Sequence, residues 1–176
     1  MARPQPKLSL KGRALQLLAQ RDQSRVELRR KLRRHASRAE PRRAVPPSAE
    51  PISPADDEGG SAAMQAQHAE VEAVLDWLEA QRFLSAERFA ESRIHARESR
   101  FGSLRIRAEL AQHGMTLSAE AARTLAETEL QRAAAVRERR FAEPPRDAAE
   151  RAKQARFLVA RGFSPEAVHR LMRQLR

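Results

Sequence analysis

Apolar residues recur three and four apart along most of the chain, and no segment alternates with period two, so the pattern predicts helices and no strands. Leu10, Ala14, Leu17 and Leu18 mark a first helix that ends near Arg21-Asp22. Ser24-Arg25-Val26-Glu27 has the form of a capping box and opens a second helix with Leu28 and Leu32 inward. Val71, Val74, Leu75 and Leu78 define the next, with Trp77 packing on its flank. Phe83-Leu84-Ser85 forms a hinge, and Ser85 caps a helix that carries Phe89, Ala90 and Ile94. The segment 102–114, GSLRIRAELAQHG, is punctuated at both ends: Ser103 is placed to cap it, and Gly114 suits the left-handed turn past its end. Ile106 and Leu110 share its inner face. A helix from about Ala119 to Leu130 carries Ala122, Leu125 and Ala126 and either runs on or breaks before Val136 and Phe141, and Pro144-Pro145 stops it. Ala155, Leu158 and Val159, the turn Gly162-Phe163, and Val168, Leu171, Met172 and Leu175 complete the series.

The same short pattern occurs three times. Leu32 is followed by Ala36, Leu110 by Gly114 and Leu158 by Gly162, each four residues on and each in an Arg-rich helical segment. Leu28, Ile106 and Gln154 stand one turn earlier. Ser118-Ala119-Glu120-Ala121 and Ser164-Pro165-Glu166-Ala167 then repeat a helix start, with a Ser cap and an acid in the positive first turn. Leu110 to Leu158 is 48 residues and Leu32 to Leu110 is 78, so the first copy holds an insertion of about 30 residues. Periods of this size belong to stacked helical units. The expected limits are a basic tail at 1–9, repeat 1 at 10–84, repeat 2 at 85–128 and repeat 3 at 129–176. The insertion, 37–67, holds Pro41, Pro46, Pro47, Pro51, Pro54 and Gly59-Gly60 without apolar periodicity, and is expected to be disordered. Its acidic part, Asp56-Asp57-Glu58, is either solvated or folded back on a basic face.

Charge sharpens the reading. A net charge of +11 points to a polyanionic partner rather than an acidic small molecule, although a generally basic surface would give the same total. Two clusters stand out. Arg97, Arg100, Arg105 and Arg107 surround the best punctuated helix; Arg30, Arg33 and Arg34 fall opposite Leu28 and Leu32, with Arg29 at the flank. Arginine suits bidentate contact with phosphate or carboxylate. Only 4% of residues are aromatic and Tyr is absent, which disfavours a base-stacking platform.

Little else suggests chemistry. Without Cys there is no disulfide, thiolate or Cys-ligated zinc, and the five His residues lack metal-ligand spacing. No glycine-rich phosphate loop is present, and Glu87 and Glu91 beside Arg88 read as a helix surface. We expect neither catalysis nor a cofactor. The N-terminal stretch lacks an apolar run long enough for a signal or a membrane span, which predicts a cytoplasmic protein; the lack of heptads predicts a monomer.

The stretch ERFAESRIHARESRFGSLRIRAELAQHGM, 87–115, resembles the central signature of the RecX family of recombination regulators. SRVELRRKL at 24–32, VEAVLDWLEAQRFL at 71–84 and ARFLVARGFSPEAV at 155–168 fit its flanking repeats in order. The resemblance implies an all-α fold of tandem three-helix repeats, three copies, in an elongated, curved array. It further implies binding to the RecA recombinase filament on single-stranded DNA, with inhibition of strand exchange, ATP hydrolysis and coprotease activity. Arg82 and Ser85-Ala86 depart from the Gly and acid pair usual there. Two other readings fit the residues: a basic helical architectural protein that binds DNA without a recombinase, and a helical scaffold for an unrelated acidic partner.

Overall fold

The computed structural model describes residues 8–39 and 55–175. Among these the secondary structure is helical throughout: α1 (Leu10–Gln20), α2 (Arg25–Ala39), α3 (Ala55–Ala80), α4 (Ala86–Glu98), α5 (Ser103–Gln112), α6 (Ala119–Glu127), α7 (Glu129–Arg140), α8 (Ala148–Ala160) and α9 (Pro165–Gln174). The chain divides into two compact units, Met1–Ala86 and Glu87–Arg176.

In the first unit, Ala14 and Leu17 of α1, Leu28 and Leu32 of α2, and Val71, Val74, Leu75 and Leu78 of α3 close one apolar core. The second unit holds two. Phe89, Ile106, Leu110 and Leu125 gather α4, α5 and α6; Ala133, Val136, Leu158, Phe163, Val168, Leu171 and Met172 gather α7, α8 and α9. Leu32, Leu110 and Leu158, the residues shared by the three sequence copies, are each fully buried, one per core. Gln154 is buried as Leu28 and Ile106 are, and its Oε1 accepts from the Nε of buried Arg137 at 3.0 Å. That bond satisfies a polar group at a position its counterparts fill with hydrocarbon.

Local chemistry explains the ends. Ser24, Ser118 and Ser164 accept through Oγ from the N–H groups of Glu27, Ala121 and Ala167. Gly114 and Gly162 take φ of 72° and 79° past α5 and α8. Ala36 has a Cβ that disfavours this conformation, and α2 continues to Ala39. Arg82, after α3, adopts φ 57° in its own turn.

Three expectations need correction. Ser103 does not cap α5: Gly102 is the N-cap, no side chain closes that end, and Ser103 is buried in the first turn. The helix expected from Ala119 to about Leu130 ends earlier: of the two courses open after it, the chain takes the break, and does so at Thr128, between α6 and α7. The 37–67 insertion is not uniformly irregular, because α2 reaches Ala39 and α3 begins at Ala55; the remainder, 40–54, lies outside the described residues, as does 1–7 of the basic tail. Residues 62–70, AAMQAQHAE, are mostly strong helix formers, so a helix anchored in the core at Val71 propagates backward at little cost. Asp56-Asp57-Glu58 belong to the α3 backbone.

Candidate functional site

The second unit gathers positive charge around one aromatic ring. Phe101, half-buried in the turn between α4 and α5, has the guanidinium carbons of Arg97, Arg100 and Arg105 at 5.7, 5.9 and 4.5 Å from its centroid. A fourth, Arg161, comes from the end of α8 at 5.7 Å and also lies 4.9 Å from the Phe157 ring. Among the described residues one carboxylate pairs with the group: Glu109 lies 3.0 Å from Nε of Arg97 and 3.7 Å from that of Arg105. Each cation–π contact contributes on the order of 0.5–1 kcal/mol at such partly exposed places, enough to hold the guanidiniums in position without cancelling their charge. Four cations against one anion leave an outward positive potential that attracts phosphate or carboxylate.

Arg107 does not join this cluster. Two residues along a helix is a rotation of about 200°, so Arg105 and Arg107 leave α5 on opposite sides. Arg107 instead lines a 590 Å³ cavity with Leu104, Glu127, Glu166 and Arg170. Sequence reasoning missed Arg161 and Phe101. The available signal was the position of Arg161 directly before the turn glycine of its repeat.

A buried frame fixes the cluster. The Gly102 N–H donates to the Arg161 carbonyl and the Leu104 N–H to the Gly162 carbonyl, both at 3.0 Å. Glu129, at the start of α7, accepts from the backbone N–H groups of Ser103 (2.9 Å) and Ser164 (3.2 Å) and from the Ser164 hydroxyl (2.7 Å). Burial pushes the Glu129 carboxyl up, but the bonds from Ser164 and Ser103 prevail and hold it below the usual range. Arg132 donates to the carbonyls of Phe101 (2.9 Å) and Leu125 (2.8 Å), and burial draws its guanidinium below its ordinary value. The α4–α5 turn, which carries Arg100, is thus tied to the α8–α9 turn, which begins at Arg161.

The other predicted cluster divides. Arg25, Arg29 and Arg33, one turn apart on α2, face Glu72, Asp76 and Glu79 of α3. Arg29 donates from Nε and Nη2 to Glu72 at 2.6 and 2.8 Å, and Arg33 lies 3.6 Å from the same carboxylate. The bond from Arg29 holds the Glu72 carboxyl below its usual range against partial burial, and raises Arg29 in return. Arg33, expected on the exposed face, is only partly so: the acidic stripe on α3 holds it half-exposed beside Glu72. Arg30 and Arg34 remain exposed. Among the described residues no group of three His, Asp or Glu could hold a metal ion, and no helix is long and apolar enough to cross a membrane.

Against this geometry, the likenesses to known proteins agree. A family model described as RecX, third three-helix domain, matches residues 120–172. The chain is 45% identical over 174 residues to the regulatory protein RecX of Ralstonia nicotianae, covering 98% of this chain and 91% of that one. The chain belongs to the RecX family. Identity to the regulatory protein RecX of Leptothrix cholodnii is 44% over 178 residues, covering 98% and 93%; to that of Neisseria meningitidis serogroup C it is 32% over 166 residues, covering 93% and 88%. The crystal structure of RecX from Lactobacillus salivarius superposes with a TM-score of 0.60 at 15% identity, covering 94% of each chain, which shows the fold alone. The all-helical, tandem three-helix architecture expected from the sequence is that of the family.

Proposed function

We propose that this protein is a regulator, not an enzyme, that binds the RecA recombinase filament on single-stranded DNA. By doing so in the cytoplasm it inhibits or modulates strand exchange, ATP hydrolysis and coprotease activity, and so regulates DNA repair and recombination. The observation that carries this reading is the match to regulatory RecX proteins along nearly the whole chain. The Phe101 cluster supports it: Arg97, Arg100, Arg105 and Arg161 stand together with one counterion, suited to phosphate or to acidic side chains. Arg30 and Arg34, with Arg29 and Arg33 behind them, form a second surface, and Arg107 a separate contact. The working form is a monomer with repeats at 10–84, 85–128 and 129–176.

The test is the steady-state ATP hydrolysis rate of the cognate recombinase on single-stranded DNA, with this protein titrated below one-to-one. Inhibition at substoichiometric ratios is expected, and changing Arg97, Arg100, Arg105 and Arg161 together to Ala abolishes most of it. Inhibition only at levels that coat the DNA would favour an architectural DNA-binding protein, the reading that exposed Arg30 and Arg34 also suit.

A further inference from the structure

Between α1 and α2 lies a cavity of 280 Å³ lined, among the described residues, by Arg13, Leu17, Lys31, Arg34, His35 and Arg38 and by no carboxylate. Lys31 is already paired with Glu27 at 2.9 Å and donates to Gln23 Oε1 at 2.8 Å. The three arginines are not so neutralised. Arg13 donates to the neutral Gln16 Oε1 at 2.6 Å and Arg34 to the Arg30 carbonyl at 3.4 Å; among the described residues none of Arg13, Arg34 and Arg38 forms an ion pair. The Nε2 of His35 lies 3.1 Å from the Leu8 carbonyl, which fixes the ring at the rim.

We propose that this cavity is a phosphate seat, and that the phosphate it takes is a backbone phosphodiester of single-stranded DNA. Three arginines without a carboxylate partner line one concavity, and such forked donors suit the tetrahedral oxygens of a phosphoryl group, which accepts from several at once. The volume is just below the usual range for small-molecule pockets, roughly 300–1,000 Å³, and so fits a phosphate with part of a sugar better than a whole nucleotide. Two of the arginines, Arg13 and Arg38, lie outside both clusters recognised from the sequence. The choice of DNA as the source of the phosphate rests on the function proposed above; the phosphate chemistry does not.

The experiment measures anisotropy of a labelled oligodeoxythymidylate with the full chain and no recombinase, across a salt series. For Arg13→Ala/Arg38→Ala we expect affinity to fall about tenfold, as befits lost charge-assisted bonds, and the salt slope to shrink by about 0.7–1. The charge-matched control Arg123→Ala/Arg146→Ala removes two exposed arginines, each paired with a glutamate, and leaves the slope unchanged. An unaltered slope in the pocket variant, or an equal loss in the control, would overturn the site. Displacement of the oligonucleotide by micromolar inorganic tripolyphosphate would overturn the strand assignment in favour of a free polyphosphate. Loss of recombinase inhibition with DNA binding intact would do the same in favour of an acidic protein surface. If wild type fails to inhibit recombinase while the pocket variant still loses slope, the regulatory reading falls and the phosphate seat stands.

Discussion

Gly102→Ala tests the backbone contact that holds the Phe101 cluster. Gly102 has φ −79° and ψ 169°, which alanine adopts freely, and the substitution by itself would favour folding by about 0.4–1 kcal/mol through the unfolded chain. Space decides otherwise. An added Cβ would stand 2.1 Å from the Phe163 nitrogen, 2.2 Å from the Gly162 oxygen and 2.2 Å from the Phe163 Cα, all backbone atoms that cannot rotate away. Relief to an ordinary contact separates the two turns by more than an ångström, which takes both 3.0 Å bonds, from Gly102 to Arg161 and from Leu104 to Gly162, beyond hydrogen-bonding range. Two such bonds at about 1 kcal/mol each, with an overpacking strain of about 1–3 kcal/mol and the small entropic gain subtracted, give a net loss of about 3 kcal/mol. Hydrogen exchange resolved by peptide is the assay. Amides of α5 and of 160–172 should exchange roughly 100-fold faster than in wild type, since 1.4 kcal/mol corresponds to a factor of ten. Protection within threefold of wild type would refute the reasoning.

Two other substitutions probe the charged groups. Glu129→Gln should cost about 1–3 kcal/mol at neutral pH, because a buried carboxylate that accepts three bonds is replaced by an amide. The folded pKa of Glu129 is depressed, so its contribution is complete above about pH 4.5 and lost as pH falls through the folded value; urea midpoints of wild type and variant should converge in acid, and parallel curves would contradict this. Glu72→Gln should lower stability by no more than about 1 kcal/mol, the pairs being partly exposed, yet tighten oligodeoxythymidylate binding several-fold by freeing Arg29 and Arg33. Unchanged affinity would mean that those arginines face away from the strand.

What the sequence revealed was local. Stripes such as Ile106 and Leu110, caps such as Ser118 and Ser164, and the left-handed Gly114 and Gly162 depend on neighbours within one turn, so their spacing disclosed them. Partners far along the chain stayed hidden. Glu129 is one of many acids in the sequence, and nothing nearby marks it as the acceptor for residues 26 and 35 positions away. Ser103 looked like a cap because the distant partners of its hydroxyl, the Leu125 carbonyl and Arg132, are invisible in one dimension. Arg29 and Arg33 looked free because Glu72 lies beyond a long insertion; Glu72, Asp76 and Glu79 at helical spacing were the signal that a complementary stripe existed. Arg161 joined the central cluster for the same non-local reason.

Three separate cores bear on how the chain is made. Each draws on consecutive helices, so contacts are mostly short-range and the early stretch can organise while the rest is still on the ribosome. The first core has a longer wait, because Leu28 and Leu32 must find Val71 across the inserted segment. The cost of closing such a loop grows only logarithmically with its length, about 0.6 kcal/mol for each doubling, so the insertion weakens the first core little.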